Sequence, residues 1–191
     1  DPEVDAVYIS TPITEHGKWA EKAALAGKHI LCEKPAFPSL ETAREMVALC
    51  RSQNVLLMEG YAFLYHLQHA FVRSLIGEGR IGGPQHFSGE FTYPRPVEGN
   101  IRLDPDLLGG VFHDAAGYPV WAANSIFEKQ PESLFCRITP DVLEGIDNAV
   151  SMQLDFGEGR TAQVFSGFGL HYRSRYSILG TQGLIEVTRA Y

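Results

Sequence analysis

No stretch of this chain approaches the roughly 18 consecutive apolar residues that a membrane-spanning helix needs, and nowhere do lysines and arginines run together. The 16 basic residues are outnumbered by 23 acidic ones, for a formal net charge of −7. These two lacks exclude a transmembrane helix and argue against a general nucleic-acid binder, which needs a basic stripe. A phosphate-bearing ligand would have to be held by helix N-termini and a few local Lys or Arg side chains. Cysteine is scarce as well. Cys32, Cys50 and Cys136 are far apart, odd in number and without Cys-x-x-Cys spacing. That argues against a disulfide framework and predicts no metal site; buried thiols in a reducing, cytoplasmic setting are the expectation. The Gly-x-Gly-x-x-Gly phosphate fingerprint is missing too, because Gly77-Glu-Gly79 and Gly82-Gly83 follow a helical segment instead of a strand. The acidic start, Asp1–Asp5, does not read as a signal peptide. A strand begins almost at once after Asp5 and the chain stops within or just after another, so it is expected to be a fragment of a longer one.

What is present is an ordinary folding composition, 45% hydrophobic and 20% charged over 191 residues. The first third alternates short apolar runs with helical periodicity. Val7–Ser10 predicts a strand, broken by Thr11-Pro12. A helix follows from about Glu15 to Ala26, with Trp19, Ala23, Ala24 and Leu25 as its apolar face and Gly27 as its C-cap. His29–Cys32 predicts the second strand. Ser39 is placed as the N-cap of a helix through Leu40, Ala43, Met46, Val47 and Cys50; Thr42 at the third position makes the capping box incomplete. Val55–Met58 predicts the third strand. Continuous apolar strands in a β-α-β-α-β order imply a parallel sheet buried on both faces, one half of a doubly wound nucleotide-binding fold over residues 1–62. The other half, on the order of 60 residues, would carry the phosphate loop.

After Tyr61 the pattern changes. His66–Ile76 predicts a helix. Gln85–Tyr93 alternates His86 and Ser88 against Phe87, Gly89 and Phe91, the mark of an amphipathic strand in an antiparallel sheet. A proline-bearing loop, Pro94–Leu108, leads into one largely apolar helix, Gly109–Phe127. Strands are predicted at Ser133–Ile138, Ala149–Phe156, Thr161–Phe168, Tyr176–Gly180 and Leu184–Thr188, with a hairpin turn at Gly157–Arg160. The fold class is therefore α/β: the C-terminal half of a Rossmann sheet, then an α+β domain over residues 63–191 with a mainly antiparallel sheet.

Three segments could carry chemistry. Glu33-Lys34-Pro35 puts an amine at the carboxyl edge of a parallel sheet, where ligands bind in such folds; the bland alternative is a solvated turn lysine. In Gly109–Pro119, Asp114 and Tyr118 are four apart and would share a helical face, with His113 on a different side. A buried acid needs a partner, and a phenol can deliver a proton to a carbonyl oxygen; the alternative is a capping Asp and a core Tyr. Ser10–His16 places hydroxyls before a helix N-terminus, with His16 open to a second reading as a solvated first-turn residue.

Ile9–His16, Ala23–Pro35 and the Gly109-Gly110…Asp114…Tyr118-Pro119 block together resemble the glucose–fructose oxidoreductase, inositol dehydrogenase and MocA family. The resemblance implies NADP or NAD, a sugar, polyol or related substrate, and a homo-oligomer through the antiparallel sheet. By position, Lys34 matches the lysine that contacts substrate and nicotinamide, Asp114 the acid of the Asp-x-Gly-x-His/Tyr motif, and Tyr118 its terminal proton donor or acceptor. Thr11, Pro12, His16, Glu33 and Lys34 fall where the family lines its cofactor. The chain departs from the pattern at Ala116, where the motif has glycine, and at Leu64 and Leu67, where Arg and Pro are frequent. Asn100–Asp104 and His171–Tyr176 look most like the sugar-nucleotide ketoreductases of that family. They offer Arg102, Arg173 and Arg175 as substrate contacts; Arg173 and Arg175 share a strand face that could grip phosphate or simply meet solvent and Glu partners.

The function expected is hydride transfer between nicotinamide and a sugar carbon. Tyr118 relays the proton, Lys34 polarises the substrate oxygen and lowers the Tyr118 pKa, and Asp114 orients hydroxyls. A non-catalytic sugar-nucleotide sensor and a dihydrodiol or polyol dehydrogenase are the alternatives.

Overall fold

The structure, a computed structural model, describes residues 1–191. It contains two sheets. The first is parallel, in the order β1 (Ala6–Ile9), β2 (His29–Cys32), β3 (Leu57–Glu59). Helices α1 (Ile13–Leu25) and α2 (Leu40–Ser52) make the crossovers. The Ser39 hydroxyl accepts the Thr42 N–H at 3.1 Å and so caps α2 as expected. Two expectations are corrected. The strands are covered on one face only: Ile30 and Cys32 are buried, whereas Tyr8, Leu31 and Met58, aligned across the ladder, are exposed. The buried stripe of α1 is His16, Ala20, Ala23 and Ala24, spaced as i, i+4, i+7, i+8; Trp19 and Leu25 lie off that stripe and are exposed. The register sets Ile9 beside Cys32 and Cys32 beside Glu59, so Thr11, Lys34 and Tyr61 all emerge at one carboxyl edge.

The second sheet has six strands in the order β5-β6-β7-β4-β8-β9. They are β4 (Pro84–Tyr93), β5 (Ser133–Asp141), β6 (Ile146–Asp155), β7 (Thr161–Phe168), β8 (Arg173–Gly180) and β9 (Leu184–Thr188). It is mainly antiparallel, with one exception: β4 runs antiparallel to β8 and parallel to β7. The pairs β5–β6, β6–β7 and β8–β9 join by short hairpins, whereas β7 and β8 flank β4, and β4 and β7 are separated by two helices and two strands, long enough for a parallel crossover. Helix α3 (Leu67–Gly77), capped by the His66 side chain, precedes β4.

The core lies between this sheet and helix α5 (Gly117–Phe127), around Phe87, Leu154, Phe156 and Ile178, all 1% exposed or less. Each such side chain contributes about 1.5–3 kcal/mol by leaving water. Gly89 lets α5 approach closely, since a Cβ there would lie 2.9 Å from that of Pro119.

The single helix expected over Gly109–Phe127 is two. A short turn, α4 (Val111–Asp114), ends at Ala115 (φ −121°) before α5 begins. Pro119 gives the reason: in a continuous helix its ring would strike the carbonyl of Ala115, four residues back. Asp114 and Tyr118 therefore do not share a helical face; the break, facing the carboxyl edge of the first sheet, decides where each points.

Candidate functional site

Lys34 projects from the end of β2 across to α4. Its Nζ donates to Asp114 Oδ1 at 2.9 Å and to the Asp114 carbonyl at 2.6 Å. The side chains of this ion pair are 12% and 17% exposed, so it is no solvated turn lysine. The other carboxylate oxygen of Asp114 accepts Arg102 Nε at 2.9 Å and the hydroxyl of Tyr93. Burial by itself would raise the Asp114 pKa. The Lys34 charge, the Tyr93 hydroxyl and Arg102 together outweigh it and hold the carboxyl below its ordinary value.

That depression has a consequence for stability. A carboxyl whose folded pKa is lowered adds stability that is complete above its unfolded pKa, about 3.9, and is lost as pH falls through the folded value. The stability advantage of the wild type over Asp114→Asn, measured by urea unfolding, is expected to shrink as the pH is lowered below about 4.

Tyr118 stands beside this pair in an aromatic cluster. Its ring meets Tyr61 edge-on at 5.3 Å and Phe91 at 5.0 Å, and Lys34 Nζ lies over its face, 5.1 Å from the centroid. Gly117 is required here because a Cβ would overlap the Tyr61 hydroxyl. Burial, then the charges of Asp114 and Glu33, push the Tyr118 pKa up to about 12. The expected lowering by Lys34 is corrected to a net rise: burial dominates, Asp114, which takes two of the three Lys34 N–H donors, offsets the Lys34 cation with its charge, and the phenol stays protonated at neutral pH.

Two cavities meet at these residues. The larger, about 560 Å³, is lined by Phe91, Tyr93, Asn100, Tyr118 and Tyr172 among others. The smaller, about 240 Å³, lies at the carboxyl ends of β1 and β2 against Thr11, Pro12, His16, Gly109 and Gly110. Glu33, Lys34, Arg102 and Asp114 line both and form the wall between them. His16 is not a solvated residue: it is 1% exposed, with Nε2 2.7 Å from the Thr11 carbonyl and Nδ1 3.2 Å from the carbonyls of Pro35 and Ala36. It ties the two strand ends together. Leu64 and Leu67 line neither cavity.

Arg173 and Arg175 are not brought to the site. Alternation along β8 sends Ser174, Tyr176 and Ile178 to the core side and both arginines to the opposite, open face of the sheet. There Glu90 of β4 takes Arg173 at 2.8 Å and Arg175 at 2.9 Å. Replacing either with Ala is expected to leave kcat and KM within about twofold and to cost under about 1 kcal/mol, as exposed pairs do; steady-state assays and urea melts check both.

Tyr93, Asn100 and Tyr172 belong to the larger cavity and went unnoticed in the sequence. Tyr93 had a usable signal, an aromatic hydroxyl at the end of β4 directly before Pro94. Asn100 and Tyr172 lay in the two segments that resemble the sugar-nucleotide ketoreductases, where attention went to the arginines instead.

The smaller cavity suits the ribose–nicotinamide end of a dinucleotide. Its hydroxyls are Ser10 and Thr11, its far wall is the bare backbone of Gly109 and Gly110, and α1 starts there with no side-chain cap on its first N–H groups.

Comparison with known proteins gives the same picture. Residues 1–61 match the model for an oxidoreductase family with an NAD-binding Rossmann fold. Residues 69–186 match the GFO/IDH/MocA C-terminal domain. The chain is 37% identical over its whole length to dTDP-3,4-didehydro-2,6-dideoxy-α-D-glucose 3-reductase of Saccharopolyspora spinosa, covering 57% of that protein. Among solved structures it superimposes on a 3-ketoreductase from Actinomadura kijaniata in complex with NADP and TDP-benzene, with a TM-score of 0.89, 30% identity, 100% of this chain and 59% of the other. It also superimposes on an aldose–aldose oxidoreductase from Caulobacter crescentus, with a TM-score of 0.93 and 27% identity, covering all of this chain and 58% of the other. The chain thus spans somewhat over half the length of the relatives it matches. A parallel sheet matched by the Rossmann model and a six-stranded sheet matched by the C-terminal model, with the Lys34–Asp114 pair between them, show that this chain belongs to the GFO/IDH/MocA oxidoreductase family.

Proposed function

We propose that this protein is an NADP-dependent reductase of a sugar or sugar-nucleotide ketone. The observation that carries the reading is the Lys34–Asp114 pair in the wall common to a cleft suited to the ribose–nicotinamide end of a dinucleotide and a polar, aromatic cavity. Thr11, Pro12, Glu33 and Lys34 would hold the cofactor, with His16 fixing the loops behind them. The dinucleotide, when bound, supplies or accepts the hydride. Tyr118, kept protonated by its surroundings, donates a proton to the oxygen of the reduced carbon. Lys34 polarises that oxygen, and Asp114 fixes Lys34 while accepting hydrogen bonds from substrate hydroxyls. Arg102 steadies Asp114 from the other side. The Actinomadura and Saccharopolyspora relatives support a sugar-nucleotide substrate and NADP.

The reading extends to a division at residues 62 and 63, a homo-oligomer through the open face of the six-stranded sheet, and a cytoplasmic setting, the last supported by three unpaired thiols. Oxidation of NADPH by the intact enzyme against a panel of keto-sugars and keto-sugar nucleotides tests it. Turnover supports the reading; tight binding of a sugar nucleotide with no NADPH oxidation sinks it in favour of a sensor.

A further inference from the structure

The turn that carries Asp114 is not capped by its own residues. Helix α4 has four residues, begins after Gly110 (φ 113°, ψ 162°) and has no side-chain cap within its own segment. Its cap comes from β6 instead. Oδ1 of Asp147 accepts the Phe112 N–H at 2.6 Å. Oδ2 packs on the bare Cα of Gly110, where any Cβ would overlap it. The β5–β6 register breaks at this point: Thr139 faces Ala149 and Pro140 faces Asp147. Asn148 is left without a partner across the ladder, a bulge that bends the strand where Asp147 leaves it. Asp147 lines neither cavity. From the cap, α4 continues through Asp114 N–H to the Gly110 carbonyl at 3.2 Å and Ala115 N–H to the Val111 carbonyl at 2.8 Å.

From this geometry we infer that Asp147 is a positioning residue: it holds the Gly110–Ala115 turn from β6 and thereby sets where Asp114 meets Lys34. A carboxylate on the free N–H groups of a helical turn is a strong cap, charge-assisted and favoured by the turn's dipole. Displacing a catalytic group by about 1 Å can cost about 10²-fold in rate, so a cap one turn away from Asp114 is felt in the chemistry. The inference rests on the reductase reading, and its test includes a measurement that needs no turnover.

The variants are Asp147→Ala, Asp147→Ser and Asp147→Asn in the intact enzyme. Amide hydrogen exchange at Phe112–Ala115 reads the turn directly. The Ala variant is expected to exchange there about tenfold faster or more and to lose about 10- to 10²-fold in kcat. Its KM for NADPH is expected to change less than kcat, because the cap meets the cofactor cleft only at Gly110 and leaves Thr11, Pro12 and Glu33 in place. Asn keeps an acceptor oxygen in place and is expected to restore exchange and kcat to within about threefold of wild type. Ser is too short to reach Phe112 and should behave as Ala does; it stands in if the Ala variant does not fold. Unchanged exchange at Phe112 in the folded Ala or Ser variant, a kcat within about twofold of wild type, or an Asn variant as impaired as Ala overturns the inference. If the wild type turns over no keto-sugar, the reductase reading fails, and the exchange data alone decide whether Asp147 holds the turn.

Discussion

Tyr118→Phe is expected to lower kcat for ketone reduction by about 10²- to 10⁴-fold, the scale of general acid catalysis, with the NADPH dissociation constant unchanged. The substitution removes one oxygen and keeps the ring that packs against Tyr61, Phe63 and Phe91, so folding stability should be little altered. The pH dependence gives a second check. With the phenol pKa raised to about 12, the acid form needed for reduction is fully populated across the neutral range, and a loss of rate from Tyr118 ionisation appears only as pH climbs through that value. In the oxidative direction the phenolate would be the base, so the rate should rise about tenfold per pH unit below 12. Steady-state kinetics in both directions against pH decide the point, with loss of the oxidative slope in the Phe variant as the diagnostic. A Phe variant with wild-type kcat removes Tyr118 from the mechanism.

Lys34→Met should lower kcat by at least about 10²-fold and also destabilise the fold. The two effects have separate causes. The kinetic one is the loss of the cation beside the developing alkoxide. The stability one is a buried carboxylate deprived of its nearest charge. Orphaning a buried ion costs about 3–5 kcal/mol. Asp114 keeps Arg102 and the Tyr93 hydroxyl, so a smaller loss, about 1–3 kcal/mol, is expected. The Asp114 pKa should move up as Lys34 leaves, since that charge is the largest influence holding it down. Urea unfolding and kcat on the same preparations separate the two; a variant that keeps wild-type kcat sinks the role given to Lys34.

Several features were legible because they are written in nearest-neighbour chemistry. The β-α-β-α-β order, the Ser39 cap and the Gly157–Arg160 hairpin follow from periodicity and turn residues. Lys34 stood out because it ends a parallel strand at the edge where ligands bind and lies in a family-like segment; taken alone, a solvated turn lysine was the ready alternative. The misreadings share a cause in long-range geometry. Trp19 and Leu25 are apolar, but the helix turns another stripe to the sheet. Arg173 and Arg175 do share a face, as spacing says, yet spacing does not tell which face. Asp114 and Tyr118 were paired through a helix that Pro119 breaks; they line one cavity all the same, because the break lets each aim inward.

The sequence by itself determined most of the elements and the family resemblance, and singled out Lys34, Asp114 and Tyr118 as candidates, since these rest on local pattern and on matched motifs. Only the tertiary structure decided what those residues do to one another. It spends Lys34 on Asp114, adds Tyr93 and Arg102 to the same carboxylate, buries Tyr118 so that it remains an acid, and reaches from β6 with Asp147 to hold the turn. Hydrogen bonds and charge pairs between residues tens of positions apart depend on register, crossover and burial, and no local pattern encodes them.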